Sequence, residues 1–214
     1  MTIERKPPKP KKCRVATCRV LFVPARIGQA VCSPACAMID APRHEPKARK
    51  ALADIERKDI KVRKEALKSR SDHLKDAEKA VRDHRRTYEL SIGSGCMSCG
   101  QSQEEVRAAQ GWKVGGAFDA GHFMGKGARP ELRLEPMNIW LQCKACNSGS
   151  YMHARKGYTV SQGFRAGLIA RIGLEAVEAI EADHEPRKYT VEELKAITAE
   201  YRAKTRELKK EQAA

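Results

Sequence analysis

Met137-Asn138-Ile139-Trp140-Leu141-Gln142-Cys143-Lys144-Ala145-Cys146-Asn147 is the stretch on which the fold turns. It carries an apolar run straight into a Cys-x-x-Cys pair and closes on a polar residue. Its counterpart lies upstream, Cys96-Met-Ser-Cys99. Structural zinc takes four tetrahedral ligands, and two such pairs supply them with little strain. Cys96, Cys99, Cys143 and Cys146 are therefore expected to share one zinc ion. A redox Cys-x-x-Cys would need a βαβ context, which is absent here. The remaining cysteines also pair, as Cys13-x₄-Cys18 and Cys32-Ser-Pro-Ala-Cys36. Leu21-Phe22-Val23-Pro24 between them reads as a strand folding back toward Cys32, so a second Cys₄ zinc module is expected. Surrounding Lys and Arg favour the thiolate form that binds metal.

Working outward, the chain of 214 residues carries 42 Lys and Arg against 27 Asp and Glu, a formal charge of +15. The excess is +9 over residues 1–50, +3 over 51–92, +3 over 93–158 and zero over 159–214. A basic front of this kind points to a polyanion, with nucleic acid the first candidate. Lys11, Lys12, Arg14, Arg19 and Arg26 are the expected DNA-binding residues. No run of about 18 apolar residues exists, which excludes a membrane span. The start, MTIERKPPKPKK, has no apolar core of a secretory signal, so a reducing, cytoplasmic setting is expected. Charged residues are 32% of the chain, hydrophobic residues 41% and aromatic residues 5%, a profile that can fill a small core or two but not a single core of 214 residues.

Four segments follow from this pattern: a basic Cys₄ module over 1–44, a charged helical segment over 45–92, a cysteine-bearing module over 93–158 and carboxy-terminal helices over 159–214. The segment from Glu45 to Leu90 is rich in Ala, Lys, Glu and Arg, and reads as one long polar helix or a broken pair. Ser71 with Asp72 looks like a helix start. Gly116–Phe123 is a strand candidate. Leu168, Ile169, Ile172, Ala176, Val177 and Ile180 form one apolar helical stripe. Thr190 with Glu193 makes a capping box for a last helix, whose stripe of Leu194, Ile197, Tyr201 and Leu208 reads as a docking face. His44, His73, His84 and His184 lie in charged contexts and are expected at the surface.

Between the second pair of knuckles stand Asp119-Ala-Gly-His122-Phe123 and then Asn138. The order of Cys pair, His at a strand end, Asn, Cys pair and polar residue resembles the HNH, or ββα-metal, nucleases, over roughly 96–158. That resemblance implies an α+β fold with a small zinc-stapled finger, a Cys₄ amino-terminal module and flanking long helices. It implies His122 as general base, Asn138 as the residue that pins the loop and orients the His, and Asn147 as a metal ligand. Asp119 is the nearest carboxylate to complete the site, and Mg²⁺ or Mn²⁺ suits its oxygen character. A neutral His that takes a proton from water, beside one divalent metal, is what phosphodiester hydrolysis near pH 7 requires.

The likeness extends over nearly the whole chain. A basic Cys₄ start with Cys32-Ser-Pro-Ala-Cys36, a charged helical segment, Asp119-Ala-Gly-His122-Phe123, Asn138-Ile139 and Cys143-x-x-Cys146-Asn147 come in order. Arg171-Ile172-Gly173-x-Glu175-Ala176-Val177 and Thr190-x-Glu192-Glu193-x-Lys195-Ala196-Ile197 follow. Together they resemble the NinG/Rap recombination proteins of lambdoid phages. The resemblance implies a phage-encoded, structure-specific DNA endonuclease in the host cytoplasm, acting on Holliday junctions and D-loops. It also implies a recombination protein partner. Concerted cutting of two strands would favour a homodimer, built through Glu45–Leu90 or Thr190–Lys210. The rival expectations are a non-catalytic zinc-module DNA-binding accessory protein and a non-specific HNH nuclease.

Overall fold

The computed structural model describes residues 9–149 and 159–213, so His153 and the first eight residues lie outside it. The chain divides after Leu67 into two units. Among the described residues no helix is long and apolar enough to cross a membrane.

In the first unit, strands β1 (Lys11–Lys12) and β2 (Leu21–Phe22) pair antiparallel, with Lys11 opposite Phe22. The Leu21 strand thus pairs with Lys11–Lys12, and its Phe22 packs in the same cluster as Cys32. The eight residues between the two strands form a loop closed by the Cys13 N–H, which donates to the Val20 carbonyl at 2.8 Å. Arg19, directly after Cys18, takes a left-handed conformation (φ 51°). Gly100 holds the same place after Cys99, with φ 69°.

Helix α1 (Pro34–Ala66) follows. Ser33 caps it by accepting the Cys36 N–H at 3.2 Å, and Pro34 fits the first turn, where no donor is needed. The helix therefore starts well before the 44/45 boundary read from composition, and it runs on through Pro42 and Pro46. Only Cys36 of its residues is buried.

The second unit opens with α2 (Arg70–Ser91). Its cap is Ser69, which accepts the Asp72 N–H at 3.2 Å while Asp72 accepts the Ser69 N–H at 3.1 Å. The start expected at Ser71 lies one position inside the helix, and the polar segment is a broken pair. Helix α3 (Gln103–Gln110) leads to a hairpin of β3 (Phe118–His122) and β4 (Ile139–Cys143), with Phe118 opposite Cys143 and His122 opposite Ile139.

Helix α2 lies across one face of this hairpin, Val81 packing on Ala120 and Ile139. Phe123 donates to the Asn138 carbonyl, and Lys144 to that of Ala117. In an antiparallel ladder this alternation turns the Ala120 and Ile139 carbonyls outward, one at each edge. Arg82 Nε reaches the first at 2.8 Å and Arg85 Nε the second at 2.9 Å. The helix thus grips both edges of the hairpin it covers.

Trp140 lies on the opposite face, against Met97, Phe164, Leu168 and Val177. Beyond the short helix α4 (Lys144–Asn147) come α5 (Val160–Ile172), α6 (Leu174–Ala182) and α7 (Val191–Glu211). Gly173, at φ 87°, breaks the stripe that was expected to run unbroken from Leu168 to Ile180. The Thr190–Glu193 capping box starts α7 as expected. Its stripe docks on α2, with Leu194 against Ala77, and with Ile197 and Tyr201 against the Val81 cluster. Glu89, fully buried, pairs with Arg85 at 2.9 Å and Arg171 at 2.8 Å, and both guanidinium groups lie over the Trp140 ring.

Candidate active site and metal centres

The cysteines form two quartets, Cys13/Cys18/Cys32/Cys36 and Cys96/Cys99/Cys143/Cys146. Within each, the four sulfurs lie within 4.8 Å of one another. Tetrahedral zinc at about 2.3 Å from sulfur needs sulfurs about 3.8 Å apart. The Cys18–Cys32 and Cys32–Cys36 sulfurs are 3.5 and 3.8 Å apart, so the donors fit. Backbone amides point at sulfur in the second quartet, Cys143 N–H to Cys96 Sγ at 3.2 Å and Cys146 N–H to Cys143 Sγ at 3.4 Å. Hydrogen bonds from the other three sulfurs hold the Cys143 thiol far below its usual range. Each quartet could hold a zinc ion.

His122 belongs to neither quartet. It ends β3, half-buried, with Nε2 3.0 Å from the Arg133 carbonyl. A carbonyl only accepts, so in the neutral ring Nε2 carries the proton and Nδ1 keeps its lone pair. Burial pushes the His122 pKa below its ordinary value, outweighing the Arg133 carbonyl, which favours the charged form. The ring is therefore neutral near pH 7.

Asn138 is fully buried. Its Oδ1 accepts the Met124 N–H at 2.7 Å, and its Nδ2 donates to the Met124 and Leu132 carbonyls at 3.0 and 3.1 Å. It ties down the loop over 124–132, and the hydrogen bond to His122 comes from the Arg133 carbonyl. The role of Asn138 toward His122 is thus indirect, through the loop that carries Arg133.

Asp119 and Asn147 come together, with Asn147 Nδ2 3.5 Å from Asp119 Oδ2. A Cβ on Gly121 would stand 1.7 Å from Gln142 Oε1 and 2.9 Å from Asn147 Oδ1, so glycine leaves room for this polar group. Asp119 and His122 do not come together on one face. Strand residues alternate, which turns Asp119 and Gly121 to one side and Ala120 and His122 to the other.

The site has a component that the sequence reading missed. Along the outer edge of β3 runs an open cleft of about 540 Å³, lined by Lys75, Lys79, Arg82, Arg86, Lys126 and Arg133 with Glu78, Asp83 and Asp119. Six cations against three carboxylates leave it basic. Glu78, only 4% exposed, receives Lys126 at 2.6 Å and Arg133 Nε at 2.7 Å. Burial works to raise its pKa, but these two partners outweigh burial and hold it below the ordinary carboxylate value. Glu78 thus fixes the side chain of the residue whose carbonyl holds His122. A signal was present: Glu78 falls between Leu74 and Val81 at the spacing of the apolar stripe, where an unpaired acid has no place.

Two other histidines correct the surface expectation. His73 is buried, and His84 is half-buried with its ring edge-on to Tyr201, centroids 5.3 Å apart. His44 and His184 are exposed. In the first unit Lys12, Arg14, Arg19 and Arg26 are exposed and Lys11 half-buried, but Arg14 lies 3.6 Å from Asp40 and so has a carboxylate partner already.

Fold and site together define an α+β protein with two Cys₄ quartets and a cationic cleft along a two-stranded hairpin. Its sequence matches the family model described as Bacteriophage Lambda NinG protein over residues 5–211. Protein ninG of Escherichia phage lambda is 35% identical over 213 residues, covering 94% of this chain and 95% of that protein. Protein ninG of Salmonella phage P22 is 35% identical over 210 residues, covering 93% and 94%. Protein ninG of Escherichia phage 933W is 34% identical over 213 residues, covering 94% and 95%. The chain belongs to the NinG family. No solved structure matches it.

Proposed function

We propose that the protein is a phage recombination endonuclease that hydrolyses phosphodiester bonds in branched DNA, Holliday junctions and D-loops among them. The observation that carries this reading is His122. It is neutral, and its Nε2 is held by the carbonyl of Arg133, one of the six cations that line the cleft. The cations hold the phosphate backbone, and Nδ1 takes the proton from a water attacking phosphorus as the P–O bond to the leaving oxygen breaks. Arg82, Lys126 and Arg133 offset the charge that builds on the phosphoryl oxygens. Asp119 and Asn147 present oxygen donors fit for Mg²⁺ or Mn²⁺, which when bound would supply positive charge for the departing oxygen. The quartets hold structural zinc in this reading, and the exposed apolar residues Met38, Leu52, Ile55 and Val62 of α1 supply a homodimer contact.

The second reading, a non-catalytic DNA-binding accessory protein, is favoured by the separation of His122 from Asp119 on opposite strand faces. One assay divides them: purified protein with duplex, fork and four-way junction, with and without Mg²⁺ or Mn²⁺. The expected result is metal-dependent cutting of branched DNA that falls about 10²–10⁴-fold in His122→Ala, with zinc content and junction affinity unchanged. Cutting at the wild-type level in that variant, or none by the wild type, overturns the nuclease reading.

A further inference from the structure

Residues 111–116, Gly-Trp-Lys-Val-Gly-Gly, join α3 to the hairpin and put two large apolar side chains into water. Trp112 is 81% and Val114 95% exposed. The other tryptophan of the chain, Trp140, is buried between two arginines, so the display of Trp112 is particular to this loop.

The loop is also held firmly. Gly116 N–H donates to the Lys113 carbonyl at 2.9 Å, and Arg86 donates to the Gly115 carbonyl at 3.1 Å. Lys144 Nζ donates to the Val114 carbonyl, and Trp112 Nε1 to the Ala109 carbonyl at 3.3 Å. Gly115 and Gly116 supply the left-handed turns, φ 79° and 88°, that this conformation needs. Backbone carbonyls thus hold Arg86 and Lys144 against the loop, and Lys113 Nζ lies 5.9 Å from the Trp112 ring. Arg86 also lines the cationic cleft, so the loop that carries Trp112 is bonded to a residue of that cleft.

A rigid aromatic face beside a basic groove is the arrangement that takes an unstacked base while the groove holds its backbone. We propose that Trp112, backed by Val114, is a stacking platform for an unpaired base at a DNA branch point. The proposal rests on the nucleic-acid reading of the cleft and deepens it, because it says what distinguishes a branch from a plain duplex.

The test uses the full chain without added Mg²⁺ or Mn²⁺, so that binding is read apart from cleavage. The probes are a plain duplex and a fork with 2-aminopurine in its unpaired arm at the branch. Trp112→Ala is expected to lose about 5- to 100-fold in affinity for the fork, the worth of one stacked base, with duplex affinity held within about 2-fold. The 2-aminopurine fluorescence should be quenched on binding by wild type and by Trp112→Phe, but not by Trp112→Ala. Equal affinity and equal quenching in Trp112→Ala overturn the platform while leaving the DNA reading intact, and would assign the exposed pair to a protein contact. Equal loss on fork and duplex also overturns it, since Trp112 would then be a general contact. No DNA binding by the wild type overturns both readings together.

Discussion

Glu78 separates positioning from mere packing. Its carboxylate pairs with both Lys126 and Arg133, leaving one net positive charge among the three, and favours the protonated form of the nearby His122. Glu78→Gln is expected to cost about 1–3 kcal/mol of stability, as hydrogen bonds to a charged group become neutral ones. It should also move the acid limb of the cleavage profile to lower pH, because His122 loses a favourable negative charge. A purely structural role would lower the melting temperature and leave that limb in place. In the wild type the limb should lie below pH 6.5, the ordinary histidine value from which burial lowers His122. The stability linkage of Glu78 has its own window. Its folded pKa is depressed from 4.5, so its contribution is complete above that value and vanishes as pH falls through the lower folded one.

The elements differ in what they owe to local signals. The quartets were legible from spacing alone, because zinc geometry tolerates few arrangements of paired cysteines. So was α7, whose Thr190–Glu193 box and apolar stripe agree. The start of α1 was visible as Ser33-Pro34, but those residues stood between two cysteines and were read as part of the Cys₄ module. Ser69-x-x-Asp72 was a better capping box than Ser71, and the neighbouring serine obscured it. The division of His122 and Asp119 between strand faces followed from their spacing of three within the Gly116–Phe123 strand candidate, but which face α2 would cover could not be read. That depends on register and on where α2 crosses, both of which are set by tertiary contacts. Metal is expected to matter element by element. Elemental analysis should give two zinc ions per chain, and Cys13→Ser should reduce this to one with the hairpin still folded. Cys143→Ser should unfold the hairpin, because serine keeps the cap of α4 but removes one of the four sulfurs that would hold zinc, and metal binding there would be folding free energy. One zinc in the wild type, or a folded Cys143→Ser hairpin, would count against this.

Across the whole molecule, charge is weighted toward the first unit, whereas the cleft and His122 belong to the second. Affinity and chemistry are therefore expected to be separable by mutation. Replacing Lys11, Lys12, Arg19 and Arg26 together by Ala should weaken binding to duplex and junction alike. The slope of log affinity against log salt should flatten by about 3–4, near 0.9 for each lost phosphate contact. The rate of cutting at saturating DNA should hold. An unchanged slope would make the basic front a solubility device.

All eight cysteines of the chain sit in the two quartets, and none is left over. A quartet has no reserve member, so oxidation of any one sulfur to sulfenic acid or beyond removes a ligand that nothing else replaces. Damage is therefore all-or-none for each centre, and thiolates without metal are the forms most open to it. Zinc bound in the quartets would thus also be a shield: the ion that holds each centre together would keep its sulfurs from the oxidant.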